Sequence, residues 1–212
     1  PQVFGRVDAD NTALGSLLKG IVQTLPRSRT ALLALLAAKE AVAGFTGLQD
    51  TAVISASTVG GMDLSETRYA AWAAGEASDL QDVHEHPVGS HTTHVARMLG
   101  SRALRTTIST ACSSSANALA MGAELLLAGE SDRVLAGGAD ALCRFTVEGF
   151  RALGAMDTAP VRPFSGDRAG MNLGEGAAYL ILEREDDAAR AGRTPLALLA
   201  GWCNSNDAHH QT

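Results

Sequence analysis

An α/β fold, with helices layered on a sheet, is what this 212-residue sequence predicts, and three observations predict it. Short apolar, β-prone runs alternate with helical patterns along the chain, the order that lays helices over a sheet. One predicted helix, residues 113–128, is apolar on nearly every face, as a helix buried on several sides must be. The composition is 46% hydrophobic but only 4% aromatic, with 22 glycines, so the core must use small side chains and close backbone approach.

Residues 1–28 show Gly and Pro punctuation without a strong period and predict no element. From Thr30, Leu32, Leu33, Leu35, Leu36 and Val42 on an alanine-rich background predict a buried helix ended by Gly44. Residues 51–57 read as an apolar strand, and Thr58-Val59-Gly60-Gly61 as the turn after it. A helix over 64–77, a polar loop over 78–90 and a helix over 90–99 closed by Gly100 come next. A strand ending near Thr110 then leads into the apolar helix, which Gly129 stops. The strand 133–136 runs into Gly137-Gly138-Ala139-Asp140, and a helix is predicted over 147–153. Beyond a long loop (157–168), the pattern gives a strand at 176–182, a charged helix at 183–191 and a strand at 196–202. No low-complexity linker or short repeat divides the chain.

A net charge of −6, with 17 Lys and Arg scattered along the chain, gives no basic stripe of the kind nucleic-acid binding needs. Cys112, Cys143 and Cys203 are odd in number and far apart, which argues against a disulfide framework or a zinc site and for a reducing compartment. No apolar run reaches the length of a membrane span, and Pro1 does not begin a signal peptide, so a cytoplasmic protein is expected. Pro1 is also not an initiating methionine, so the N-terminus is expected to be processed or trimmed. His84, His86, His91 and His94 raise a metal reading. No cysteine accompanies them and the nearby acids read as surface charge, so neither a metal nor a cofactor is predicted.

The segment Thr110-Ala111-Cys112-Ser113-Ser114-Ser115-Ala116 carries the chemistry. It sets a cysteine where the β-prone run Thr106-Thr107-Ile108-Ser109 hands over to the small-residue helix. A helix start offers unpaired N–H groups and the positive end of the backbone dipole, which favours the reactive thiolate. The bland alternative is an inert core cysteine flanked by capping serines.

This segment resembles the active-site motif of the β-ketoacyl synthases, the condensing enzymes of fatty-acid and polyketide assembly. Three further segments agree in order and spacing. Gly137-Gly138-Ala139-Asp140 is similar to the family's Gly-Gly-Ala/Thr-Asp turn. Arg162-Pro163-Phe164-Ser165-Gly166-Asp167-Arg168-Ala169-Gly170, followed by Gly174-Glu175-Gly176-Ala177, resembles its long Arg-Pro-Phe-Asp signature. Asn206-Asp207-Ala208-His209-His210-Gln211-Thr212 looks like its Asp-Ala-x-His-x-Thr segment.

The resemblance implies the thiolase fold, two similar α/β halves stacked in α-β-α-β-α layers. Residues 1–212 would form most of the first half and the start of the crossover, an incomplete domain. It implies that Cys112 takes an acyl group from an acyl-carrier-protein thioester, with its own backbone N–H as one oxyanion donor. Decarboxylative Claisen condensation with malonyl-carrier would follow. The family's two catalytic histidines and its second oxyanion donor lie beyond residue 212 by the resemblance, so the chain as written is not expected to complete a condensation. His210 matches the histidine that lies near the substrate channel, although a structural role is favoured for it. Met171 stands where many relatives carry a phenylalanine that gates the acyl pocket, which implies altered acyl choice. Ser165, in place of the common aspartate, is expected only to alter a loop turn.

A homodimer, or a heterodimer with a paralogue, is implied to pair along the strand before Cys112; otherwise that strand is interior to its own sheet. The rival function is a non-catalytic chain-length or scaffolding subunit, against which Cys112 argues because such subunits usually lack it. A relative handling coenzyme A is a third reading, disfavoured by the Arg-Pro-Phe and Gly-Glu-Gly-Ala signatures.

Overall fold

The strand Ala52–Ala56 (β1) is buried at every residue because it is covered on both faces and flanked on both edges. The structure, a computed structural model, describes residues 2–76, 80–206 and 208. Among them, β1 lies between Arg105–Ile108 (β2) and Arg133–Asp140 (β3), parallel to both. Gly176–Glu183 (β4) runs antiparallel beyond β3, giving the order β2-β1-β3-β4. Among the described residues β2 is therefore an edge strand paired with β1 alone, not an interior strand of this sheet.

The helices in chain order are Asn11–Leu17 (α1), Arg29–Ala41 (α2), Met62–Ala73 (α3), Leu80–Glu85 (α4), Ser90–Leu99 (α5), Ser114–Leu127 (α6), Arg144–Ala152 (α7) and Glu185–Arg190 (α8). Helices α2 and α5 cover one face of the sheet, where Leu32, Leu35 and Val95 meet Val53, Leu135 and Tyr179. Helix α6 covers the other, with Ala118 and Leu126 against Ile54, Val134 and Ala136. A side chain at Gly122 would come within 3.0 Å of Leu182 and 3.2 Å of Val134, so this glycine lets α6 lie close to the sheet. The predicted layered α/β order holds.

Several expectations need correction. Helix α1 forms where no element was predicted, started by the Asp10 carboxylate accepting from Ala13 N at 2.8 Å. Helix α4 forms inside the predicted polar loop, with Asp82 buried against Arg27 at 2.9 Å and Arg68 at 3.2 Å. Residues 196–202 join no strand, and Leu196 and Leu198 stand exposed. Helix α6 buries Ala120 and Ala123 as well as its sheet-facing Ala118 and Leu126, but Leu127 at its far end is 75% exposed, so it is not buried along its whole length.

A buried polar chain crosses the α2/α5 side of the core. Nδ1 of His91 donates to Val88 O at 2.9 Å, which leaves Nε2 to accept from the Ser55 hydroxyl at 2.7 Å. Ser55 Oγ in turn lies 2.5 Å from the Tyr179 hydroxyl. Protonating His91 would reverse this chain inside a desolvated core, and burial pushes the imidazole down to about 4. The unfolded chain then takes up the proton first as pH falls, so stability must drop between the ordinary histidine range and about 4. At about 1.4 kcal/mol per pH unit, urea unfolding at pH 5 should show a loss of about 2 kcal/mol relative to pH 7. His91→Gln, which cannot charge, should flatten that slope; an unchanged slope would contradict the assignment.

Candidate active site

The parallel strands β1 and β3 end on one side of the sheet, where open α/β folds place their clefts. There Ala56 at the end of β1, Ser57 and Thr58 just after it, Gly138 and Asp140 of β3, and Cys112 line a cavity of about 1020 Å³. A smaller cleft of about 390 Å³, at the sheet's other end, is lined by ion-paired groups such as Arg133, Glu183 and Arg193 and holds no nucleophile.

Cys112 is exposed and sits in the turn between β2 and α6. The turn is sharp because Ala111 adopts φ +54°, a region that residues with a side chain rarely occupy. Buried Ser114 holds it: its hydroxyl accepts from Thr110 N at 2.8 Å and donates to Ala111 O at 2.6 Å. Ser113 occupies the N-cap position of α6 without a side-chain cap bond; its hydroxyl donates to Thr110 O at 2.8 Å, and Asn117 Nδ2 reaches Thr110 Oγ1 at 2.8 Å. Gly138 lies directly behind, for a side chain there would come within 2.7 Å of both Ala56 O and Ser115 Oγ. Ala111→Val should destabilise the fold by about 1–3 kcal/mol, because a β-branched residue resists this conformation, whereas Ala111→Gly should not. Equal melting temperatures for the two variants would argue against the strained turn.

Helix α7 supplies an apolar wall that sequence reasoning did not assign to the site. Phe145, Phe150 and Leu153 line the cavity, facing Leu119, Leu173 and Leu180 from other elements. The Glu66 carboxylate fixes the start of α7, accepting from Arg144 N at 2.7 Å and Phe145 N at 3.1 Å. The signal was present in the amphipathic spacing of Phe145, Phe150 and Leu153, where Phe145 and Leu153 are exposed large hydrophobics.

The Gly-Glu-Gly-Ala segment is tied in from below. Glu175 accepts from Arg29 Nε at 2.9 Å and its terminal nitrogen at 2.7 Å, and from the backbone of Val7 and Leu142. Burial pushes this carboxyl up, yet Arg29 and those N–H groups hold it below the usual carboxylate range. In the Arg-Pro-Phe loop, Ser165 and Arg162 both bond to the Asp167 carboxylate, and Phe164 at the tip is fully exposed with φ +64°. Ser165 thus shapes a loop turn.

Met171 does not line the cavity. It is 40% exposed, and its backbone pairs with Ala155 O and Asp157 N on the loop after α7. His210 lies outside the described residues, as does His209. His91 is the buried core residue above, His86 Nδ1 meets Ser65 at 2.8 Å, and His94 Nε2 meets Glu85 at 2.9 Å. Among the described residues no group of three or more His, Cys, Asp or Glu side chains could hold a metal, and no helix is long and apolar enough to cross a membrane.

An exposed cysteine on a strained strand-to-helix turn thus borders a cavity at the carboxyl ends of the parallel strands of a layered α/β fold. The chain belongs to the β-ketoacyl synthase family: the profile described as beta-ketoacyl synthase, N-terminal domain, matches residues 18–188. Nodulation protein E of Rhizobium meliloti is 34% identical over 199 residues, which are 90% of this chain and 49% of that protein. The 3-oxoacyl-(acyl-carrier-protein) synthase 2 of Vibrio cholerae is 30% identical over 74% of this chain and 40% of that protein. Among solved structures, the ishigamide ketosynthase/chain length factor matches with a TM-score of 0.79 and 31% identity, over 89% of this chain and 49% of that one. The chain thus spans about half the length of the relatives it matches, and the thiolase-like layering expected from the sequence is the fold these ketosynthases share.

Proposed function

We propose that this chain is the nucleophile-bearing part of a catalytic β-ketoacyl-acyl-carrier-protein synthase. The observation that carries the reading is the exposed Cys112 on its strained turn, beside a cavity with an apolar wall. Cys112 sulfur attacks the carbonyl carbon of an acyl-carrier thioester, and the Cys112 backbone N–H stabilises the oxyanion. Collapse expels the carrier's thiol and leaves the acyl group on Cys112, its chain against Phe150 and Leu119. In the complete protein, two histidines outside this sequence then support decarboxylation of a malonyl unit, whose carbanion attacks the acyl carbonyl and releases Cys112. Met171, although outside the cavity lining, keeps its proposed influence on acyl choice, and His210 its proposed place near the channel.

Residues 1–212 form most of the first half of a thiolase-like domain in this reading, with the exposed β4 and α6 surfaces meeting the second half. The unpaired edge of β2 supports dimerisation along that strand, with a second copy or a paralogue. The chain-length-factor reading keeps one specific support, the likeness to a ketosynthase/chain length factor structure. A cysteine presented this way favours the catalytic subunit.

Competition at the thiols tests it. Iodoacetamide should label Cys112 readily and Cys143 slowest, since Cys143 is 3% exposed and burial pushes its thiol up. Prior incubation of the full-length protein with an acyl-carrier thioester should protect Cys112 and leave Cys203 labelled. Loss of protection would favour the non-catalytic reading.

A further inference from the structure

The Gly-Gly-Ala-Asp segment ends in a carboxylate to which the proposed reaction gives no task. Asp140, the last residue of β3, accepts from the Ser57 hydroxyl at 2.6 Å, Thr58 N at 2.8 Å, the Thr58 hydroxyl at 2.7 Å and Val59 N at 3.3 Å. All of these donors belong to the three residues that follow β1. Ser57 Oγ also accepts from Gly60 N at 2.9 Å, so the turn is folded back on the same anchor. One carboxylate therefore holds the first three residues of the chain reversal between β1 and α3.

That reversal is part of the cavity wall. Ser57, Thr58, Val59 and Asp140 line the same space as Cys112 and the apolar residues of α7. Backbone bonds secure the two ends of this wall, Ser57 N to Ile108 O at 3.3 Å and Gly61 N to His86 O at 3.3 Å, and between them Asp140 is what ties Thr58 across to β3. The acid is also matched to its donors: two hydroxyls and two N–H groups converge on it, and an amide could accept at only one of its two atoms.

We propose that Asp140 is a positioning residue for acyl-chain selection: by clamping Ser57–Thr58–Val59 it sets the cavity width open to an acyl chain on Cys112. This rests on the reading of Cys112 as the acyl acceptor. Asp140 touches neither the reacting sulfur nor the carbonyl in this role, so its removal should change which chains load well without disabling the nucleophile.

The test compares acyl loading of the full-length protein from hexanoyl-, decanoyl- and hexadecanoyl-carrier thioesters, in wild type, Asp140→Ala, Asp140→Asn and Thr58→Val. Asp140→Ala should raise KM for the chain that wild type prefers by about tenfold, with kcat changed less than about threefold, and should flatten the preference among chains. Thr58→Val, which removes one of the bonds, should give a smaller shift in the same direction, and Asp140→Asn should fall between the two. Labelling of Cys112 by iodoacetamide, a reagent too small to sense the cavity width, should match wild type in every variant. A chain-length profile parallel to wild type in the variants that fold would overturn the proposal and leave the clamp merely structural. If Asp140→Ala does not fold, Asp140→Asn and Thr58→Val decide between these outcomes. Wild type that labels at Cys112 but loads no acyl chain would overturn this inference together with the proposed function, whereas loading with unshifted preference would overturn this inference alone.

Discussion

Cys112→Gln should abolish acyl transfer from a carrier thioester, lowering the loading rate by at least about a thousandfold, while leaving the fold intact. The amide side chain cannot form a thioester, and the other thiols are poor substitutes: Cys143 borders the same cavity but is buried, its sulfur 3.0 Å from the Thr146 hydroxyl and its thiol pushed up by burial, and Cys203 is not among the residues lining the cavity. Because Cys112 is exposed, the substitution removes little packing, and unfolding free energy should stay within about 0.5 kcal/mol of wild type. Loading rate and urea unfolding, measured on the same preparation, separate loss of the nucleophile from loss of structure. Retained transfer would move the nucleophile elsewhere.

The largest stability effect should come from a residue with no chemical task. Glu175→Ala leaves the buried Arg29 guanidinium its bonds to Asn11 and Val7 O but no bonded carboxylate, and also strips acceptors from Val7 N and Leu142 N. The Glu175 and Arg29 side chains are 2% and 10% exposed, so water cannot replace the lost contacts. Breaking a buried pair from one side costs about 3–5 kcal/mol, a large share of the stability of a domain. Replacing both, as Arg29→Met with Glu175→Met, should cost much less than the sum of the two single changes, because no charge is then stranded. The pH dependence has a definite sign. Glu175 is held below the ordinary carboxylate range, so its contribution is complete above that range and is lost as pH falls through its lowered value. A Glu175→Ala variant within about 1 kcal/mol of wild type would contradict this account of the Gly-Glu-Gly-Ala segment.

What could be read from the sequence follows from how local each cause is. Helices α2, α5 and α6 were legible because apolar spacing and the glycines at 44, 100 and 129, all at positive φ, mark their bodies and ends. The strands β1, β3 and β4 were legible as short apolar runs between turns. Helix α1 was missed although Asp10 and the spacing of Leu14, Leu17 and Leu18 are local signals, because seven residues give too little period to outweigh the nearby Gly and Pro. Helix α4 was not legible, since Asp82 is buried by arginines at positions 27 and 68 that only the fold brings near. The alternation of Leu196, Leu198 and Trp202 promised a strand, but a strand needs a neighbour for its backbone, and none among the described residues supplies it.

At the site, Cys112 and the Gly-Gly-Ala-Asp segment were legible by motif, although that segment, expected as a turn, forms the last four residues of β3, and the fold brings both to one cavity. The Asp140 clamp and the Arg29–Glu175 pair join residues 82 and 146 positions apart in sequence, so no local pattern announces which residues meet. The apolar wall from α7 likewise faces Cys112 only once the chain has folded. Motif order pointed to the chemistry. Only the fold shows what shapes the space around it.

The most direct test of the central claim is peptide mass mapping of the full-length protein after incubation with an acyl-carrier thioester. The account predicts one acyl adduct, carried on the peptide containing Cys112 and removed by hydroxylamine as a thioester should be. An adduct on another residue, or an unmodified Cys112 peptide in protein whose Cys112 still reacts with iodoacetamide, would contradict it.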